Sequence, residues 1–389
     1  LRLRKKWFEF KDAKRDQWPS ADLSPSSAFP KLPEPAAAPE PLRESLKRDA
    51  ERVASGRLRF FGHLDVQADT PPNWQRDYLA GVDVPTGLSA FKLNHRELPD
   101  GAAIKPLWEP SRWYGPVRLA QACWLLGNRR SGEHCLDWLE DWVANNPPYT
   151  GWHWTSALES GMRLIAFTWI DAFLTAFEGQ KPGDLAKRLA KLRADILPAH
   201  AWFTWRHRTF GSSANNHLLG ELCGLALANA RWPGLATLGP SLATLGRLLE
   251  RETLRQFHRD GGNFEQAMNY QFFAWEFCWE ARQALVAAGA LPIVPATATY
   301  AEVMSTMSMV EVRKRLQALN ESDAVLGMIG NDVRWVAAGI IGRPMQPLEL
   351  IQWEKGAESE TGRPPSDEDL RNLCRNYRSN VSGRKGGCR

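Results

Sequence analysis

The sequence predicts an all-α protein: an incomplete α/α toroid, a double layer of antiparallel helices, behind an irregular N-terminal arm. Three observations lead there. Helix-period apolar patterns follow one another from residue 111 to about 318, punctuated by Gly and Pro. No strand-rich stretch of comparable length precedes residue 320. Amphipathic segments alternate with segments apolar on most sides, the pattern of outer helices covering inner ones. No fixed-period repeat of the solenoid kind accompanies them.

In chain order, residues 1–41 are basic and then rich in Pro and Ala. Phe29-Pro30-Lys31-Leu32-Pro33-Glu34-Pro35 lacks the backbone donors a helix needs, so this stretch reads as an arm or linker. Arg43 to Ser55 reads as a short helix, and the chain to about Pro106 as a turn-rich wrap around the body. Helices are then expected over 111–127, 132–145, 153–178, 184–207, 214–230, 238–258, 264–288 and 298–318. Breaks fall at Asn145-Asn146-Pro147-Pro148 and Gly179-Gln180-Lys181-Pro182-Gly183. Residues 184–200 are amphipathic, whereas 214–230 and 264–288 are apolar nearly all round. The toroid domain is expected over 42–345, and the charged, Gly- and Pro-containing stretch 346–389 reads as a disordered tail.

Composition narrows the function. With 389 residues, 43% hydrophobic and 24% charged, the chain reads as a soluble globular protein, and no apolar run is long enough to insert in a membrane. A net charge of +5 permits a polyanionic partner without requiring one. Arg2-Leu3-Arg4-Lys5-Lys6 has no nucleic-acid motif beside it, so terminal solvated charge is the expectation and no nucleic-acid partner is assigned. The 18 Trp against 6 Tyr suit either helix interfaces or sugar faces; most are expected in the core and a minority along a cleft.

The six Cys (Cys123, Cys135, Cys223, Cys278, Cys374 and Cys388) show no CxxC, and the eight His form no HExxH. No Gly-rich phosphate loop is present either, so no metal and no cofactor is expected. The chain opens with Leu rather than Met and lacks a signal-peptide core, so an upstream start is expected. A bacterial periplasm or cytoplasm is the expected setting; oligomeric state is left open.

Two polar turns carry the chemistry. The first, Asn215-Asn216-His217, stands at the mouth of a helix whose Leu218, Leu219, Leu222, Leu225 and Ala226 recur at helical spacing. Its local alternative is a helix cap with His217 as a satisfied core histidine. The second, Asp260-Gly261-Gly262-Asn263-Phe264-Glu265-Gln266, feeds a helix carrying Tyr270, Phe272, Phe273, Trp275, Phe277 and Trp279. If both helices are inner ones, Tyr270 and the Asn-Asn-His group are neighbours.

On these residues the chain resembles the helical domain of the heparinase II/III family of polysaccharide lyases, which includes alginate and oligoalginate lyases. Phe60-Phe61-Gly62-His63, Asn73-Trp74-Gln75-Arg76-Asp77, Trp108-Glu109-Pro110-Ser111-Arg112-Trp113 and Trp154-Thr155-Ser156-Ala157-Leu158-Glu159 leading to Arg163 add to it, so the resemblance spans roughly 45–340. It implies the same toroid and a carbon–oxygen lyase that opens an acidic, uronate-containing polysaccharide by β-elimination. The polymer could be like heparan sulfate, like alginate, or a bacterial exopolysaccharide. Such chemistry must neutralise the uronate carboxylate, remove the weakly acidic C5 proton and protonate the leaving oxygen.

By resemblance, Asn216 and His217 neutralise the carboxylate and Tyr270 moves the proton. A phenol of pKa near ~10 needs nearby positive charge to act as a base at neutral pH. Arg163 and Arg112 are the candidates for that charge or for gripping substrate acids; the alternative for each is an ion pair with Glu109 or Glu159. Asn215, Trp113, Trp154, Glu221 and Glu265 complete the expected substrate-binding set. Glu221, one turn beyond His217, could instead orient the imidazole, and Glu265 could cap its own helix. As a carboxylate pair the two also invite a glycoside hydrolase reading. The family's β-sheet domain, which closes the cleft and adds a His, is expected to follow Ile329-Gly330-Asn331-Asp332-Val333-Arg334-Trp335 and is not recognisable. A binding module for acidic glycans is therefore the second alternative.

Overall fold

The computed structural model describes residues 2–290 apart from 14, 63, 211–213, 258–262 and 266–267. The helix expected over 298–318, the exit at 329–335, the 346–389 tail, Cys374 and Cys388 lie outside the described residues.

The described residues form an all-α, toroid-like double layer. Helices α4 (Tyr114–Leu126), α6 (Ala157–Gln180), α8 (Asn216–Arg231) and α10 (Met268–Ala287) make the inner layer, each packed on the next. Outside them run α5 (Arg129–Asn145), α7 (Leu185–Arg206) and α9 (Leu242–Gln256), while α2 (Glu40–Ala54) lies on α4. Burial follows the sequence pattern: α6 and α8 are covered on nearly every side, whereas α7 buries Leu185, Leu189, Leu192, Ile196 and Ala199 at helical spacing on one face.

The inner helices run parallel, and this fixes where the polar turns meet. Arg112, just before α4, reaches Glu159 at the start of α6, while Trp124 near the end of α4 stacks on Phe173 further along α6. Gly161 of α6 lies against Gly220 and Glu221 of α8, and Asp171 accepts from Arg231 at the other end. Asn216 touches Glu265, just before α10; four residues on, Gly220 abuts the Phe277 ring. Outer helices return in the opposite sense, as in Arg193 to Asp171 and then His200 to Arg163. Four inner N-termini therefore gather at one end, where their exposed N–H groups give a positive field.

Close backbone approach sets the α6–α8 spacing. A Cβ on Gly224 would collide with the Gly161 carbonyl, and one on Gly161 would lie 3.1 Å from Glu221 Cα. No larger residue fits at Gly224.

Two elements differ from the sequence expectation. The helix expected over 111–127 is α4, and it is preceded by an unexpected helix, α3 (Ile104–Ser111), with the chain turning between them where Trp113 takes a left-handed φ of 64°. Within the arm, Arg2–Asp12 forms helix α1, and its buried Asp12 accepts from Trp202 Nε1 (3.3 Å), Arg206 Nε (3.3 Å) and His207 Nε2 (3.0 Å). The following extended stretch is tied down by Trp18 Nε1 donating to the Tyr149 hydroxyl (3.1 Å) and Ser26 N–H donating to the Arg231 carbonyl (2.7 Å).

Two small antiparallel hairpins precede α3: β1 (Arg57–Phe60) with β2 (Leu64–Gln67), and β3 (Arg76–Asp77) with β4 (Val82–Asp83). No helix among the described residues is long and apolar enough to cross a membrane. Cys123, Cys135 and Cys223 are buried as free thiols, and burial pushes Cys123 up to about 12, the behaviour of a small core residue.

Candidate active site

At the end where the inner helices begin, α8 opens with an exchange across the chain. Asn215 occupies the N-cap, but its side chain makes no capping bond. The cap comes instead from Glu265, whose Oε2 accepts from Asn216 N–H at 3.2 Å and from Asn216 Nδ2 at 2.7 Å. A carboxylate on a helix N-terminus is stabilised by the local dipole and by charge-assisted hydrogen bonds. Glu265 thus caps α8, and not the helix it precedes. Its own N–H donates to Asn263 Oδ1 (2.8 Å), and Phe264 N–H donates to the Gln256 carbonyl (3.0 Å). Gln256 Nε2 in turn donates to the Ala214 carbonyl (3.3 Å), so the end of α9, the start of α8 and the 263–265 turn are knitted together.

His217 is half-buried beside this pair. Burial holds its imidazole below the ordinary histidine range; Glu159 and Glu265 pull upward, while Arg112 and His95 push down. A neutral imidazole near pH 7 can donate one N–H and accept at the other nitrogen.

Arg112 forms a fork on Glu159, with Nε to Oε2 and Nη2 to Oε1 both at 2.8 Å, and donates through Nη1 to Glu109 Oε1 at 3.0 Å. Burial works to raise Glu159, but the Arg112 charge and its hydrogen bonds outweigh it and hold the carboxyl below the usual range. Arg112 is thus committed to Glu109 and Glu159. It brings positive charge near His217 only as part of that network.

Tyr270 lies in the first turn of α10 and is 38% exposed. Because α8 and α10 run parallel, it stands at the same end as Asn216.

The remaining expected site residues are interior. Arg163 is fully buried: Nε donates to His200 Nε2 (2.9 Å), Nη2 donates to the His153 carbonyl (2.8 Å), and the guanidinium lies 4.9 and 5.4 Å from the Trp142 and Trp154 rings. Arg163 and His153 are both without exposed surface and so hold the core rather than meet solvent; burial lowers the pKa of Arg163 to about 9 and that of His153 to about 3.

Trp113 and Trp154 are core residues, not a sugar platform. Trp113 sits edge-on to Trp142 at 5.0 Å, and Trp154 packs 4.5 Å from His200 and donates Nε1–H to the Asn146 carbonyl (3.2 Å). Rings of this size at helix junctions gain more from burial than from an open face.

Glu221 does not orient His217. Its Oε2 accepts from Thr209 N–H (2.7 Å) and its Oε1 pairs with the Thr209 hydroxyl (2.6 Å), latching the loop that leads into α8. Burial raises it to about 8, and with no exposed surface it cannot face a cleft with Glu265 as the hydrolase reading requires.

One residue of this end is absent from the sequence-derived set. His95, in the wrap, packs its ring 5.6 Å from that of Trp108 and lies near enough to His217 to shift it. Among the described residues, no group of three His, Cys, Asp or Glu side chains is arranged to hold a metal.

No family model and no curated protein matches the chain. Among solved structures it is similar to a heparinase III gene product, at 15% identity and a TM-score of 0.46, over 75% of this chain and 42% of that one. It is also similar to heparan sulfate lyase HepC from Pedobacter heparinus, at 12% identity and a TM-score of 0.45, over 75% of this chain and 41% of that one. The chain thus spans less than half the length of either.

Proposed function

We propose that this chain is a polysaccharide lyase that cleaves a uronate-containing acidic polymer by β-elimination. The single observation that carries the reading is the pairing of Asn216 with Glu265 at the head of α8, beside a half-buried imidazole and on the end where α10 presents Tyr270. Asn216 Nδ2 carries two donors, of which Glu265 takes one. Glu265 orients the amide, and the second N–H together with His217 serves the substrate carboxylate. Helix N-termini favour that anion, and the same groups stabilise the charge that builds on it as the C5 proton leaves. Tyr270 moves a proton between the sugar and solvent.

The test is to incubate the full chain with heparan sulfate, alginate and hyaluronan, following the ultraviolet absorbance of an unsaturated uronate together with glycan binding. The reading expects the double-bond product from at least one polymer. Binding without that product would make the chain a glycan-binding module. New reducing ends lacking the double bond would make it a hydrolase.

A further inference from the structure

Among the described residues, the exposed aromatic rings are Trp7, Phe10, Phe210, Phe264 and Tyr270, and all of them lie at the end where the inner helices begin. Phe264 precedes Glu265, which caps α8, and Tyr270 opens α10. Phe210 follows Thr209, which is latched to Glu221 in the second turn of α8. Trp7 and Phe10 ride on α1, which Asp12 fastens to Trp202, Arg206 and His207 at the end of α7. Because α7 runs against the inner helices, its last turn is level with their first. Single exposed rings are ordinary; a set confined to one end marks a contact surface.

On α1 the rings are interleaved with cations. At about 100° per residue, the exposed side chains fall around the helix in the order Lys6, Phe10, Trp7 and Lys11, while Phe8 and Asp12 turn to Arg206 on the other side. Lys11 Nζ lies 5.7 Å from the Trp7 ring, and the Arg206 guanidinium lies 4.1 Å from Phe8 and 4.9 Å from Trp202. The pattern continues along the chain into α8, where the Arg208 guanidinium lies 3.6 Å from Trp205 and 4.7 Å from Phe210. The helix carries five basic residues against two acidic ones, and one of those acids, Asp12, is buried in the anchor. A membrane-surface helix needs an apolar face of about 100° or more. Here the two exposed rings stand only about 60° apart, with a lysine on either flank.

We propose that the exposed face of α1 is a second binding track for the acidic polysaccharide, set to the side of the cleavage point. The inference rests on the lyase reading for the identity of the polymer. Ring faces suit the apolar faces of sugars, and the cations between them suit the carboxylates that the sugars carry. Helix α1 rests on the outer helix α7, whereas Asn216 and Tyr270 belong to inner helices. A long chain seated at Asn216 is therefore held a second time by α1, and a short oligosaccharide is held once. The track makes the protein prefer long chains.

The test is Lys6→Gln/Phe10→Ser/Lys11→Gln in the full chain, three exposed changes that leave the Asp12 anchor in place, with circular dichroism melting as a folding control. Affinity for heparan sulfate, alginate and hyaluronan is measured at low and at physiological salt, and kcat and KM are measured on the cleaved polymer and on its tetrasaccharide. The expected result is polymer affinity lowered by about tenfold at low salt and by less at physiological salt. KM on the polymer rises by about the same factor, while kcat, the tetrasaccharide constants and melting stay unchanged. Unaltered polymer affinity and KM would overturn the inference and leave the lyase reading standing. An equal rise of KM on the tetrasaccharide would also overturn it, because α1 would then act at the cleavage point. So would an affinity loss that tracks a lower melting temperature, which would reduce α1 to packing. Loss of binding to vesicles of phosphatidylserine and phosphatidylcholine, with glycan affinity intact, would overturn it in favour of a membrane surface. Lowered polymer affinity in a chain that gives no unsaturated product would remove the lyase reading and keep the track.

Discussion

Two clusters, each holding an Arg and a pair of imidazoles, behave oppositely. Around Arg163, the imidazoles of His153 and His200 and the rings of Trp113, Trp142 and Trp154 are sealed in the interior, with the guanidinium donating to a ring nitrogen and a carbonyl. Around Asn216, an Arg–Glu pair, two half-buried imidazoles and an exposed phenol stand where four helices begin. Arg and His are interior mortar in the first and stand at an open end in the second. What separates the clusters is whether the helix geometry leaves a side open.

The comparison breaks first at Arg163. Arg163→Ala should cost roughly 3 kcal/mol or more, because it opens a cavity among large rings and strips a partner from His200. Denaturant unfolding reads this directly, and a variant with wild-type stability but a raised KM would return Arg163 to the substrate. Next in size is Gly224→Ala, which forces apart the backbones of α6 and α8 at Gly161 and should cost about 1–3 kcal/mol by the same measurement. A neutral result would mean that these helices can shift relative to each other.

The smallest effect sharpens the border between the clusters. Glu221 is raised from about 4.5 to about 8 by burial. Between those values the folded chain holds a proton that the unfolded chain has lost, so this residue makes stability fall as pH rises through that window. Glu221→Gln should flatten that part of the melting-temperature profile. A profile that keeps its slope would mean that other groups set it.

Much of the helical architecture is legible in the sequence because burial on all sides and burial on one side leave different apolar periods. Residues 214–230 and 184–200 show the two cases, and they became α8 and α7. Helix α3 was hidden because Pro106 and Pro110 read as breakers; Pro106 falls in its first turn, where no intrahelical donor is needed. Helix α1 was hidden because its basic run resembles solvated charge, and the buried Asp12 that anchors it looks ordinary from sequence.

At the candidate site, motif order singled out Asn216, His217 and Glu265, but not the contact between Asn216 and Glu265. Their wiring was not legible. That Glu265 caps α8 rather than α10 depends on the parallel packing of α8 and α10, and that Glu221 turns to Thr209 depends on how the loop before α8 folds back on it. His95 carries no sequence signal beyond Leu93 and Leu98 on either side, since an irregular turn has no period to violate.

The most direct measurement is the turnover of Tyr270→Phe on a polymer that the unaltered chain cleaves to unsaturated product. Removing one hydroxyl from an exposed first-turn residue should leave folding and KM intact and cut kcat by about 100-fold or more. Undiminished kcat in that variant would contradict the claim that the heads of α8 and α10 form one catalytic site.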